Sequence, residues 1–359
     1  MPDNFSVPGK GLSSVTTNPR LVAAAILQKK DYWISRFDAS DLAPRALQKS
    51  LCNLVISEGA ATLTRLWNHS EQVNGWISAQ VDPVDVRCAD RMTARGLELH
   101  ELAGNVMVKV PGSPEGLAAV QNLVACGCSI NITFCFTVSQ FQAGISAIER
   151  GRAMALENGI ETSHCKYVIT FMIGRFSCQP ELSLQASERN IDLSDEDKRW
   201  AELMIYQEIQ TLVRASSARI KTLLSSIKID VDEYGRKHSW HLEKTGQYQT
   251  CYTLTPDVVE FLIERESHGH PVSPGAEVIQ PPPSTVSKLM QIPYFTDAFR
   301  VGGIEPYDFC NHEAFINTCN EASMAYRRLV DYCTRLSPIQ NSFEPTLNSV
   351  MAAEYGVAL

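Results

Sequence analysis

Short apolar runs alternate with long amphipathic ones through most of the chain. Runs rich in Val, Ile, Phe and Thr read as buried strands, and a 3.6-residue apolar period reads as helix. Strands are expected at 11–17, 76–81, in the run carrying Lys109, and at 129–136, 167–173, 221–227 and 250–254. Helices are expected from Pro19 through Trp33, at 44–69, 83–102, 114–126 and 139–158, over 181–217 with a break near Asn190, and at 257–266 and 313–335. Prolines at the openings of several of these segments fit the first helical position, where no amide donor is needed. Strand-then-helix repetition is the pattern of a parallel α/β architecture. The stretch 267–284, with His268-Gly-His-Pro and Gln280-Pro-Pro-Pro-Ser, reads as a linker or wrapping loop, and the tail from Ser337 as weakly structured. The domain reading is therefore a barrel over 1–266, the linker 267–284, and a helical extension over 285–359 packed on the barrel.

Within the strand pattern one position stands apart. Val106, Val108 and Val110 share one face of their strand, while Met107 and Lys109 share the other. If that second face lines a barrel interior, a solvated ammonium there is expensive. The amine then titrates low and becomes a nucleophile toward carbonyl carbon. A surface lysine on an edge strand is the plainer alternative, and it fits poorly with a strand that is apolar on both sides.

The remaining strands also end in polar residues, where parallel barrels keep their active sites. Asn131 and Thr133 lie two apart, hence on one face. Gln80 ends its strand, Thr170 lies in strand 167–173, Arg175 stands just past that strand, and Ser226 and Lys228 end a later one. Amides and hydroxyls around an amine, with cations at the rim, suit a carbonyl substrate carrying hydroxyls and a phosphate.

Composition narrows the setting. The 359 residues are 44% hydrophobic and 20% charged, enough for one large barrel or two ordinary domains. A net charge of −8 argues against nucleic-acid or anionic-membrane partners. No apolar stretch approaches the roughly 20 residues of a membrane span, and Met1-Pro-Asp-Asn-Phe-Ser shows no secretory pattern. The eleven cysteines lack framework spacing and read as reduced, packed thiols of a cytoplasmic protein, Cys126 and Cys128 among them. His238, His241, His268 and His270 lack neighbouring ligands at metal spacing and read as surface-loop histidines, so neither a metal nor a cofactor is expected.

The segments Thr16-Thr-Asn-Pro19, Gly75 to Pro83, Val108-Lys-Val-Pro111 with Glu115-Gly116, Asn131-Ile-Thr133 and Gly174-Arg175 resemble the transaldolase family, in its order and with its spacing, over roughly residues 11–265. The resemblance implies a TIM-type (β/α)8 barrel with extra C-terminal helices and metal-free, class I chemistry. It makes Lys109 the Schiff-base lysine and Thr133 the holder of a catalytic water. Asn131 and Asn18 would bind a dihydroxyacetone unit beside Thr17 and Thr170, and Arg175, Ser226 and Lys228 would bind the sugar phosphate. Three departures accompany it. Gln80 stands where the family has glutamate, as in the related fructose-6-phosphate aldolases, whose tyrosine is here Met172. The first strand with its aspartate finds no counterpart, because Asp3 is the sole acid in 1–10, so the barrel is expected to lack its first βα unit. Arg20 replaces a small hydroxyl residue.

The implied function is transfer or addition of a dihydroxyacetone-like unit between sugar phosphates. A specialised aldolase or imine-forming enzyme of secondary metabolism is the alternative. A catalytically silent relative with a binding role is another, against which the survival of Lys109, Asn131, Thr133 and Arg175 counts. Unpaired strand edges in an incomplete barrel would favour a homodimer or a C-terminal cover.

Overall fold

The computed structural model describes residues 12–36, 42–272 and 279–336. The expectations for Asp3, for the first residue of the 11–17 strand and for the tail from Ser337 lie outside the described residues. In chain order the elements are β1 (Val15–Thr16), α1 (Pro19–Gln28), α2 (Lys30–Ile34), α3 (Pro44–His69), β2 (Ile77–Gln80), α4 (Ala89–His100), β3 (Val106–Pro111), α5 (Pro114–Ala125), β4 (Ile130–Cys135), α6 (Val138–Glu157), β5 (Tyr167–Phe171), α7 (Ile173–Phe176), α8 (Pro180–Glu188), α9 (Asp195–Ala215), β6 (Ile220–Leu224), the hairpin β7 (Asp230–Val231) and β8 (Lys237–His238), α10 (Trp240–Glu243), β9 (Thr250–Tyr252), α11 (Pro256–Ser267), α12 (Pro283–Leu289), α13 (Pro293–Phe299) and α14 (Glu313–Leu336).

Seven strands form one parallel sheet in the order β1-β2-β3-β4-β5-β6-β9, so each strand pairs with the next along the chain apart from the inserted hairpin. This is a curled, TIM-type α/β sheet, as the strand–helix alternation predicts, with β1 and β9 at its two ends. Helices start where the sequence supplies caps. Asn18, Ser113 and Thr137 accept from the backbone N–H three residues on, and Ser194 with Asp197 forms a capping box at α9.

Alternation sorts the strand residues. Val108 faces the helix layer: a β-carbon placed on Gly96 of α4 would lie 3.2 Å from Val108 Cγ1. Ile132 and Ile169 likewise pack toward Gly144 of α6. Their neighbours Lys109, Asn131 and Thr170 therefore face the sheet's concave side, and every residue of β3 and β4 is buried.

The structure shortens several expected elements. The continuous helix expected over 83–102 is a 3₁₀ turn, Pro83–Asp85, followed by α4, because Cys88 is extended and interrupts the helical path. Strand 167–173 stops at Phe171 and turns into α7, which puts Arg175 on a helical turn. The break near Asn190 is present, with that residue in the left-handed region. Helix α12 begins inside the stretch expected to be a loop, and its Thr285 and Lys288 bind Asp197.

Helix α14 lies over the sheet's C-terminal end. It packs on α1, α3, the Pro83–Asp85 turn and the end of β4, where Phe315 meets Phe134 edge to face at 5.8 Å. Since β3 lies between β2 and β4, that path crosses the end of the strand carrying Lys109. At the start of α14, His312 is stacked among Phe136, Phe176 and Tyr294, and burial pushes its imidazole down to about 4.

The turn from β3 into α5 has no room for a side chain at Gly116, where a β-carbon would lie 1.9 Å from the Pro111 carbonyl oxygen. Gly116→Ala is expected to lower unfolding free energy by roughly 1–3 kcal/mol, the range of overpacking. Urea denaturation measures this, and a change below about 0.5 kcal/mol would mean that the turn relaxes freely.

Candidate active site

Lys109 is 7% exposed on the inward face of β3. Its ammonium donates to Thr16 Oγ1 at 3.3 Å and to the Thr17 carbonyl at 3.2 Å, reaching past β2 to the end of β1. Burial alone lowers its pKa from the ordinary lysine value to about 8. No carboxylate contributes to that shift, so the amine is tuned by desolvation rather than by a counter-ion.

Beside it, an amide and three hydroxyl residues gather on the same face. Asn131 is in register with Lys109 across the β3–β4 pair. Its Nδ2 donates to Ser78 Oγ of β2 at 3.2 Å, and its Oδ1 accepts from Thr170 Oγ1 of β5 at 2.7 Å. These partners fix which end of the amide points where. Thr133 shares the face of Asn131 and is fully buried. Just after it the β4–β5 register shifts between Ile132 and Cys135, and Phe134 takes a left-handed φ of 58°. A non-glycine residue in that region is uncommon and here re-aims the chain at the sheet's mouth. Gln80, in register with Lys109, has neither amide atom hydrogen-bonded among the described residues. It lines a small cavity of about 30 Å³ with Thr17, Asn18, Asp82 and Tyr326.

Two sequence-selected residues are committed to local structure. The Thr17 hydroxyl donates to the Ser78 carbonyl at 2.7 Å, and Asn18 Oδ1 accepts from Leu21 N–H as the cap of α1. Both still stand beside Gln80 at the end of β1. Arg20 is exposed on α1.

The third group sits at the ends of β5 and β6. Gly174 brings α7 against the turn after β6: a β-carbon there would lie 1.9 Å from Ser226 O and 3.0 Å from Lys228 Cγ. Ser226 is itself left-handed, with φ 61°. Arg175, Ser226 and Lys228 are thereby held in one corner. Arg175 is not free: its Nη2 pairs with Glu321 of α14 at 2.6 Å, and its Nη1 reaches Thr318 at 3.3 Å.

Behind that corner lies a buried charge network. Glu202 of α9 accepts from the Ser177 hydroxyl at 2.7 Å, the His241 ring at 2.8 Å and Arg199 at 2.8 Å, and Arg199 also binds Asp230. Burial pushes the Glu202 carboxyl up, but His241, Arg199 and Ser177 outweigh it and hold it below the usual carboxylate range. His241 Nδ1 accepts the Lys228 N–H at 3.2 Å, and Ser239 donates to the Lys228 carbonyl at 2.7 Å. With Nδ1 accepting, Nε2 carries the proton that Glu202 receives. His241 is therefore no surface-loop histidine: it is fully buried, whereas His268 and His270 are exposed. Cys128 is buried as expected and Cys126 is exposed.

Sequence reasoning passed over Ser78, although its position two residues before Gln80 puts it on the same face. Glu321, Glu202 and His241 gave no such signal, because each is joined to the site only by the fold. Among the described residues no three His, Cys, Asp or Glu side chains are placed to share a metal ion, and no helix is long and apolar enough to cross a membrane.

The family model described as Transaldolase/Fructose-6-phosphate aldolase matches residues 6–292. A transaldolase of Mycolicibacterium paratuberculosis is 28% identical over 180 residues, 49% of this chain and 48% of the relative. Those of Kocuria rhizophila and Saccharopolyspora erythraea are each 27% identical over about half of both chains. The chain spans about half the length of the curated relatives it matches. Because the family match takes in all seven strands of the sheet, the chain belongs to the Transaldolase/Fructose-6-phosphate aldolase family.

Proposed function

We propose that the protein is a Schiff-base enzyme in which Lys109 attacks the carbonyl carbon of a phosphorylated ketose and transfers or adds a dihydroxyacetone-like unit. The observation that carries this is an inward lysine, buried and lowered to about 8, beside an amide with fixed orientation. Attack by the neutral amine forms the carbon–nitrogen bond and expels the carbonyl oxygen as water. The resulting iminium withdraws electrons, so the bond between its α- and β-carbons can break to an enamine while the β-hydroxyl gives up its proton and that fragment leaves as an aldehyde. The enamine then bonds to an acceptor aldehyde, whose oxygen takes up a proton. Asn131 and Thr170 orient the hydroxyls of the bound unit, with Asn18 and Thr17 at the β1 side. Thr133 and Gln80 hold the water that enters and leaves. Arg175, Ser226 and Lys228 receive the phosphate, Lys228 as a point charge rather than a fork.

A second reading, simple aldol addition or cleavage, is favoured by Gln80. An amide positions a water but cannot take its proton, which weakens any step that needs a strong base there. Release of free aldehyde from fructose 6-phosphate without transfer to erythrose 4-phosphate would select this reading.

Borohydride reduction in the presence of dihydroxyacetone or fructose 6-phosphate should fix the adduct on Lys109 and nowhere in Lys109→Met. Absence of any adduct in the unaltered protein would sink the Schiff-base reading.

The trapping rate should climb as pH rises toward 8 and level off above it, because only the neutral amine attacks. In stability the sign is the same. Between about 8 and the unfolded lysine value the unfolded chain binds the extra proton, so stability rises with pH across that window. Lys109→Met removes the buried charge and should add roughly 1–3 kcal/mol at neutral pH, read by urea denaturation. A less stable Lys109→Met would show that the ammonium is better solvated than its burial implies.

His241→Asn shortens the ring that holds the Lys228 backbone. It should raise KM for the phosphorylated ketose several-fold more than it lowers kcat, as expected for a residue that acts only through a binding segment. Equal losses for phosphorylated and unphosphorylated ketones would indicate general structural damage instead.

A further inference from the structure

Arg175 has two claimants, the phosphate of the proposed substrate and Glu321 of α14. Three residues of α14 spaced four apart bind the segment from α7 to the start of α8. Glu313 accepts from the Glu181 N–H at 2.9 Å, Asn317 donates to Gln179 at 2.7 Å, and Glu321 pairs with Arg175 at 2.6 Å. Gln179 in turn donates to the Arg175 carbonyl at 2.7 Å. The four-residue spacing puts all three on one helix face. Of the three contacts, only that of Glu321 uses a charge that an incoming phosphate needs. Its carboxylate oxygen on Nη2 stands in the place of a phosphate oxygen.

We propose that Glu321 is a specificity-determining residue: it holds α14 on Arg175 until a phosphate replaces it, so that the substrate's phosphate opens the way to Lys109. The proposal rests on the reading of Arg175 and Lys228 as the phosphate corner. Charge decides the exchange. Arg175 and Lys228 bring two positive charges, and a phosphate dianion neutralises them only if the Glu321 carboxylate leaves. Glu321 is 49% and Arg175 28% exposed, so the departing carboxylate is solvated at once and the pair it breaks is a weak one. An uncharged ketone has nothing with which to displace it. Because α14 reaches both the Pro83–Asp85 turn after β2 and the end of β4, the strands on either side of β3, loosening its contact with Arg175 loosens the cover near Lys109. Phosphate binding and access to the amine are therefore linked, and linkage is reciprocal.

The full chain and its Glu321→Gln variant test this with inorganic phosphate as the probe, against chloride at matched ionic strength. Three quantities are read: phosphate affinity, amide hydrogen exchange across 313–333, and the rate at which dihydroxyacetone is trapped on Lys109. In the unaltered protein, phosphate should speed both α14 exchange and trapping. Glu321→Gln should bind phosphate about two- to fivefold tighter, the scale of an exposed ion pair. It should also exchange faster without phosphate, and its trapping should no longer respond to the anion. Phosphate that binds without changing α14 exchange, a variant with unaltered phosphate affinity, or no phosphate binding to either protein overturns the proposal. The arms stay separable from the Schiff-base reading. If no adduct ever forms, that reading fails while affinity and exchange still decide the role of Glu321. If adducts form but phosphate binds nowhere, the role of Glu321 falls and the Schiff base stands.

Discussion

A primary amine held inside a parallel sheet is the constraint on which the rest of this structure turns. The Lys109 ammonium has a hydroxyl and a carbonyl from β1 as partners and no carboxylate that tunes it. A counter-ion would stabilise the charged form and oppose the lowering that burial produces. The surroundings are accordingly neutral dipoles: Thr16, Thr133, Asn131, Ser78 and Thr170, contributed by the inward faces of β1, β2, β4 and β5. Full ion pairs are kept elsewhere. The Glu202 network, with its buried carboxylate, lies behind the corner formed by Arg175, Ser226 and Lys228.

That segregation explains what the sequence disclosed and what it concealed. Strand parity follows from a period of two, so Lys109, Asn131, Thr133 and Gln80 could be placed on one face without coordinates, and Ser78 could have been added by the same rule. The parallel α/β class was equally legible, because cap residues and prolines mark where each helix begins. Less legible were the ends. Strand 167–173 looked continuous because Met172 and Ile173 are apolar, yet the chain turns helical at Ile173 to carry Arg175 around. The helix expected over 83–102 looked continuous because nothing in its composition marks Cys88 as extended. The long-range contacts were invisible: Arg175 with Glu321 is separated by 146 residues and Glu202 with His241 by 39, and neither pair leaves a local pattern.

His241 shows how a sound local rule fails. In a hairpin-rich, polar stretch a histidine is usually at the surface, and His238, His268 and His270 are exposed or half-buried as that rule expects. His241 is buried because the insertion carrying β7 and β8 folds back on α9, where Glu202 offers an acceptor. The result ties the Lys228 backbone and, through Ser177, the α7 turn to a single carboxylate. Both sides of the corner that holds Arg175 and Lys228 thus depend on one buried carboxylate.

The two ends of α14 are held by different mixtures of apolar and polar contacts. Toward its C-terminus the helix is fastened by Leu329 and Cys333, buried against α1 and α3, and by the Lys30 ammonium over the Tyr332 ring. Apolar burial of this kind does not respond to a small anion. Toward its N-terminus the contacts to the 175–181 segment are hydrogen bonds and one half-exposed ion pair, which solvent or a competing anion can replace at little cost. Apolar packing is present there too: Ala314 and Phe315 are buried in the core, and Phe315 stands directly on Phe134, the left-handed residue that follows Thr133. Both ends of α14 are therefore packed on the core, and the N-terminal end carries exchangeable polar contacts in addition. The seven-stranded sheet beneath it, buried on both faces at β3 and β4, has no comparable freedom. The inward placement and burial of Lys109 are set by the sheet, and α14 lies over that end of it.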